Sequence, residues 1–218
     1  MKAAKILVLA DETVPAFWDF YRPGIFDGID LIISCGDLPA NYLSFIATMF
    51  SGDVLYVPGN HDERYLNHPP EGCINIDNRI FVWKGLRILG LGGCYEYKTG
   101  PYQYTESMMK SRVRRLRYQL WKHKGFDLLV THAPAFGHND GKDLPHRGFE
   151  VFLDLIEKYK PSFFLHGHVH LNYGSYPRFS MLGETTVINA FERFVIEVPL
   201  PNEPLKKKKK RMQSAGHT

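Results

Sequence analysis

Five short apolar runs in this chain each end on residues able to hold a metal ion or move a proton. Ile6-Leu7-Val8-Leu9-Ala10 ends at Asp11, and Leu31-Ile32-Ile33-Ser34-Cys35 ends at Gly36-Asp37. Val54-Leu55-Tyr56-Val57 leads into Pro58-Gly59-Asn60-His61-Asp62, and Leu128-Leu129-Val130-Thr131 into His132. Phe163-Phe164-Leu165 delivers His166-Gly167-His168-Val169-His170. Carboxylates, amide oxygens and neutral imidazoles are the donors that hold the divalent ions used in phosphate chemistry. Gathered in one place, Asp11, Asp37, Asn60, His132, His168 and His170 make such a donor set, and the Gly36-Asp37 turn exposes a carboxylate suited to bridging two ions. Two ions about 3.5–4 Å apart activate a water and stabilise the attacking and leaving oxygens of an in-line displacement at phosphorus. In such a site His61 is expected to face the leaving group as general acid, with Asp62 expected to hold its imidazole in the useful tautomer.

The elements that must position these groups follow from the runs themselves. Continuous apolar runs mark strands buried on both faces, and open α/β sheets bind ligands beyond the carboxyl ends of their strands. Helices are expected from Pro15 to Tyr21, after Pro39 (Tyr42, Leu43, Phe45, Ile46, Met49, Phe50), over Thr105–Lys124 and over Phe149–Tyr159. The long helix should turn Met108, Val113, Leu116, Leu120 and Trp121 inward, be capped by Thr105 or Ser107, and leave Arg112, Arg114, Arg115 and Arg117 on a solvated face. Residues 64 to 78 read as loop, and Arg79–Val82 with Leu86–Leu91 as a hairpin around Lys84-Gly85. Tyr173–Phe179, Thr185–Asn189 and Phe194–Val198 read as antiparallel strands. Together these suggest two mixed sheets packed face to face with helices outside.

The 218 residues suffice for one large domain, expected over residues 1–199, with 200–218 a disordered basic tail. The net charge of +4 is carried by that tail: without the six charges of Lys206 to Arg211 the chain stands at −2, so its body is not a basic nucleic-acid surface. The tail reads first as solubilising, with contact to RNA, DNA or an acidic membrane surface as the alternative. No apolar run approaches the roughly 18 residues a membrane span requires. Met1–Lys5 leads directly into a strand and is not expected to be a signal peptide. Cys35, Cys73 and Cys94 lack Cys-x-x-Cys spacing, which gives neither a disulfide framework nor a zinc knuckle and points to a reducing cytoplasm. Oligomeric state is not legible.

In these motifs the sequence resembles the calcineurin-like metallophosphoesterase superfamily, whose pattern is Asp-x-His, Gly-Asp, Gly-Asn-His-Asp/Glu, a lone His after a strand, and Gly-His-x-His. Here it reads Asp11-Glu12-Thr13, Gly36-Asp37, Gly59-Asn60-His61-Asp62, His132 and Gly167-His168-Val169-His170, across residues 5 to 198. The resemblance implies a four-layer α/β/β/α sandwich. It also implies that Asp37, Asn60, His132 and His168 hold one ion and Asp11, Asp37 and His170 another. One or two divalent ions are expected, manganese first, with iron, zinc, nickel or magnesium as alternatives. The activity implied is hydrolysis of a phosphoester, diester before monoester, by metal-bound hydroxide with His61 as acid. A small-molecule or nucleotide phosphoester is the expected substrate. Thr13 departs from the pattern: the ion expected at Asp11, Asp37 and His170 loses an imidazole, and a mononuclear centre becomes an option.

Competing readings stay open at this point. Asp11 and Asp37 also suit helix caps or turns, and His132 or His170 taken singly suits a hydrogen-bonded core position. A degraded site favours a non-catalytic, metal-binding scaffold, as in some relatives, although an intact Asn60-His61-Asp62 argues for catalysis. A nuclease recruited by Lys206–Arg211 is the third reading. His166 falls outside the ligand set as a supporting or packing residue. His138, Asp140, Asp143 and His146 form a second polar cluster, and specificity is expected from Tyr95–Tyr104 and Phe136–His146.

Overall fold

The computed structural model describes residues 2–172 and 177–201. Its first half alternates strand and helix: β1 (Ala3–Ala10), β2 (Leu31–Ser34), α1 (Ala40–Met49), β3 (Val54–Tyr56) and β4 (Ile74–Asn75). A hairpin of β5 (Arg79–Trp83) and β6 (Leu86–Leu91) follows, then the two-residue strands β7 (Cys94–Tyr95) and β8 (Gln103–Tyr104). The remainder is α2 (Glu106–Arg115), α3 (Arg117–His123), β9 (Leu128–Thr131), α4 (Glu150–Tyr159), β10 (Phe163–His166), β11 (Phe179–Leu182), β12 (Thr185–Asn189) and β13 (Glu192–Pro199).

These strands build two mixed sheets, ordered β13-β1-β2-β3-β4 and β11-β12-β10-β9-β6-β5. The strands that end on chemistry all run parallel within their sheets: β1, β2 and β3 in the first, β9 and β10 in the second. Alternation decides the layers. Ile6, Val8, Leu31, Ile33 and Leu55 face Ile88, Leu128, Val130, Leu165 and Ile188 between the sheets. Their neighbours Leu7, Leu9, Ile32 and Val54 point outward onto Tyr42, Leu43 and Ile46 of α1. Leu89, Leu129, Phe164 and Val187 point the other way onto α2, α3 and α4. The result is the expected α/β/β/α sandwich, and no described helix is long and apolar enough to cross a membrane.

Several elements depart from the sequence expectations. The segment after Asp11 forms only a 3₁₀ turn at Pro15–Phe17, because its aromatics pack as a cluster on α1 instead of along a helix face. Residues 64 to 78 carry a 3₁₀ turn at Glu63–Leu66 and the edge strand β4. β12 pairs antiparallel with β11 but parallel with β10. The helix expected over Thr105–Lys124 is capped by Thr105, whose hydroxyl accepts from Met108 N, but divides at Leu116 into α2 and α3. Its inner stripe is Met109, Arg112, Leu116 and Leu120, while Met108 and Trp121 are exposed. Arg112 is thus not on a solvated face. Residues 173–176 of the expected Tyr173–Phe179 strand, and Lys206–Arg211 with most of the 200–218 tail, lie outside the described residues.

Candidate metal centre

Three loops place their side chains by leaving the strands abruptly. Asp11 follows β1 at φ 67°, Asp37 follows β2 at φ 57°, and His168 follows β10 at φ 69°. These are left-handed conformations that cost a non-glycine residue on the order of 1 kcal/mol or more, and such strain gathers at functional sites. The loops are tied together: Asp11 N donates to Gly36 O (3.1 Å) and Gly167 N to His132 O (2.9 Å). Close approach demands glycine at two motif positions. A Cβ on Gly36 would sit 2.8 Å from His132 Nδ1, and one on Gly59 would overlap the Asp37 carboxylate.

The donors converge. Asp37, His132 and His168 offer ligand atoms within 4.8 Å of one another. His132 Nε2 lies 3.0 Å from Asn60 Oδ1 and 3.2 Å from Asp37 Oδ2. Ligands on a small divalent ion with bonds of about 2.1 Å stand roughly 3 Å apart, which is the spacing seen here. The outer ring nitrogens are committed elsewhere: His132 Nδ1 is 2.9 Å from Cys35 O, and His168 Nε2 is 2.7 Å from Pro145 O. In neutral imidazoles those nitrogens donate to the carbonyls, so His132 Nε2 and His168 Nδ1 keep their lone pairs for a ligand, the usual outer support of a metal-bound histidine. The donor set fits a divalent ion.

Electrostatics agree. Burial disfavours an imidazolium at His132, yet the adjoining Asp37 carboxylate outweighs it and holds His132 at about 9. Burial likewise opposes ionisation of Asp37, but His132 overcomes it and the carboxyl sits at about 2. Burial, reinforced by His132, presses His168 down to about 3, so it is neutral. Burial raises Asp11 to about 7. When His132 is protonated, its Nε2–H faces both oxygens, and a divalent ion held by these residues would displace that proton. Binding manganese at pH 7 is therefore expected to release about one proton from His132, with a further fraction from Asp11, falling toward none as pH rises past 9. Calorimetric titrations in buffers of different ionisation enthalpy measure this, and heats that are independent of buffer at pH 7 would contradict it.

The second half of the expected constellation is looser. Both Asp11 carboxylate oxygens accept from His168 N, at 2.9 and 3.0 Å. His170 stacks on Phe191 with ring centroids 4.8 Å apart, outside the three-residue group. Thr13 is exposed. Glu12 brings Oε1 to 4.0 Å from His170 Nδ1, because Asp11 in the left-handed region ends the strand pleat before it.

His61 is exposed, its backbone N–H donating to Asp37 Oδ1 (2.8 Å). Asp62, expected behind the His61 imidazole, turns inward instead: Oδ2 accepts from Gly59 N (2.7 Å) and Asp37 N (2.8 Å). It braces the turn that carries Asn60 and Asp37. Burial and the nearby Asp37 charge raise its carboxyl to about 7. From the second polar cluster, His146 stacks over His168 with centroids 5.1 Å apart and bonds Asp143 Oδ2 through Nδ1 (2.7 Å). Asp140 braces the same loop by accepting from Gly148 N (3.1 Å). His166 is buried against Phe164. Sequence reasoning missed the carbonyls of Cys35 and Pro145, since backbone acceptors leave no residue-type signal. It also missed the contact from Tyr97 Oη to Asn60 Nδ2 (3.2 Å), whose only sign was the tyrosine-rich segment Tyr95–Tyr104.

A family model described as calcineurin-like phosphoesterase matches residues 6–172. No curated protein matches the sequence. Among solved structures, TT1561 of Thermus thermophilus is 20% identical with a TM-score of 0.61, over 88% of this chain and 90% of that one. An archaeal phosphodiesterase is 14% identical with a TM-score of 0.39, over 86% and 84%. Vps29 of Chaetomium thermophilum is 14% identical with a TM-score of 0.38, over 86% and 70%. At 20% identity the likeness to TT1561 speaks to the fold alone.

Proposed function

The chain belongs to the calcineurin-like phosphoesterase family, and from that premise we propose that it hydrolyses a phosphodiester at the centre formed by Asp37, Asn60, His132 and His168. The observation that carries this reading is the approach of Asp37 Oδ2 and Asn60 Oδ1 to His132 Nε2, with the outer nitrogen of each histidine bound to a carbonyl. These residues would hold one divalent ion, manganese before iron, zinc, nickel or magnesium; Asp11 and His170, with Asp37, would hold a second. A divalent ion there lowers the pKa of water and neutralises phosphoryl charge.

The chain's own residues supply the rest. His61 stands at the rim, its backbone fixed on Asp37, in a cleft of about 540 Å³ shared with Asn41, Arg64 and His68. From there its imidazole gives a proton to the departing oxygen, as a general acid. Asp62 acts through the turn, by holding the Gly59 and Asp37 nitrogens. A diester carries one charge and a monoester two; a cleft with a single arginine suits the diester better.

Metal-stripped protein titrated with manganese and assayed on bis(p-nitrophenyl) phosphate and p-nitrophenyl phosphate tests this. Metal-dependent turnover, greater on the diester and lost in Asn60→Ala, is expected. No turnover on either ester, with manganese still bound, would overturn the reading and leave a scaffold. His61→Ala is expected to lower kcat about 10²–10⁴-fold with manganese affinity unchanged. Unchanged kcat would remove His61 from the acid role.

A further inference from the structure

We propose that Tyr97 is a further catalytic residue, its hydroxyl donating a hydrogen bond to a non-bridging oxygen of the phosphoryl group at the centre. The inference rests on the phosphoesterase reading above. It starts from the two ends of the Asn60 amide. Asn60 is 1% exposed, and its Oδ1 faces His132 Nε2 across 3.0 Å. Its Nδ2 is then committed to the other side, where it meets Tyr97 Oη at 3.2 Å. An amide nitrogen only donates, so the phenol oxygen is the acceptor and its own proton points away from Asn60. No described residue accepts that proton. A donor whose acceptor side is already filled thus stands one hydrogen bond from a residue that shares the centre with Asp37 and His132.

The hydroxyl is held there by its own loop. Tyr97 is half-buried, and Gln103 Oε1 accepts from both Tyr97 N (3.3 Å) and Lys98 N (3.1 Å). Gln103 is 3% exposed and anchored by the pairing of Cys94 with Gln103 between β7 and β8. The Lys98 ammonium lies over the Tyr97 ring, 5.6 Å from its centroid. A rigidly braced neutral donor beside a charged oxygen makes a charge-assisted hydrogen bond without a reorganisation cost at the moment of reaction. No covalent bond to the phenol forms, and its proton stays on the phenol oxygen.

Tyr97→Phe removes the hydroxyl and keeps the ring. The expected result with manganese-loaded protein is a fall in kcat/KM on bis(p-nitrophenyl) phosphate of roughly 10- to 100-fold. A matching weakening of inorganic phosphate as a ligand is expected, while calorimetric manganese affinity stays within about twofold of wild type. Unchanged kcat/KM and phosphate affinity would overturn the proposal. So would a loss confined to manganese affinity, which would make Tyr97 a positioning residue for Asn60 only. Should the wild type hydrolyse neither ester, the phosphoesterase reading fails by itself; phosphate binding to manganese-loaded wild type and Tyr97→Phe then decides whether the hydroxyl meets a phosphoryl oxygen.

Discussion

Gly59→Ala is expected to lose manganese affinity by about 100-fold, the upper end of what changes around a metal's ligands cost, and to lose turnover with it. A Cβ at this position would overlap the Asp37 carboxylate, lying 2.6 Å from Cγ and 2.7 Å from the Asp37 nitrogen. None of these atoms belongs to the far end of a flexible side chain. Asp37 is pinned at φ 57°, its nitrogen donates to Asp62 Oδ2, and its Oδ1 accepts from His61 N. The added methyl can be accommodated only by withdrawing the carboxylate from His132, and overpacking of this kind also costs roughly 1–3 kcal/mol of stability. Gly100→Ala is the control, since the nearest atom to a Cβ there is 3.4 Å away. Calorimetry with manganese and hydrolysis of bis(p-nitrophenyl) phosphate check both variants; wild-type affinity in Gly59→Ala would show that the turn yields where the structure has it braced.

Burial on both faces and close approach of loops were legible in the sequence. Apolar runs gave the parallel strands and their order of burial, because a strand covered on both faces tolerates little else. Motif glycines marked where loops approach too closely for a side chain. What stayed hidden was settled by partners distant in sequence. Asp62 reads locally as the support of His61, but two backbone nitrogens in its own turn and across from it claim the carboxylate. The first N–H groups of α4 are capped by the Glu106 carboxylate from α2, at 3.1 Å to Glu150 N and 2.9 Å to Val151 N, although nothing local to α4 announces a cap. Periodicity likewise put Met108 and Trp121 inside and Arg112 outside. Period alone cannot tell a solvated arginine from one whose guanidinium finds acceptors in the fold.

Arg112→Ala is accordingly expected to destabilise the protein by about 3–5 kcal/mol, the cost of breaking a buried ion pair from one side. The Arg112 side chain is 3% exposed and spends its donors on Asp77 Oδ1 (2.6 Å), Asn78 Oδ1 (2.9 Å) and Gly92 O (2.7 Å). Its guanidinium lies 4.2 Å from the Tyr104 ring centroid. Removing it leaves Asp77 in a nearly buried position, with Gly92 N (2.6 Å) as the remaining donor to Oδ1. Urea unfolding should show the loss directly, and for a chain of this size each kcal/mol lowers Tm by about 2–4 °C. Arg112→Lys should recover part of the loss, since one ammonium reaches Asp77 but cannot serve three acceptors in a plane. The consequence extends to chemistry. Gly92 and Gly93 begin the segment that carries Tyr97, and Gly93 N donates to Pro58 O (2.8 Å) beside Gly59-Asn60. Below its unfolding midpoint, Arg112→Ala should therefore also show reduced kcat/KM, with Arg114→Ala on the solvated side of α2 unchanged in both. A stability loss under about 1 kcal/mol would mean that water replaces the guanidinium at little cost.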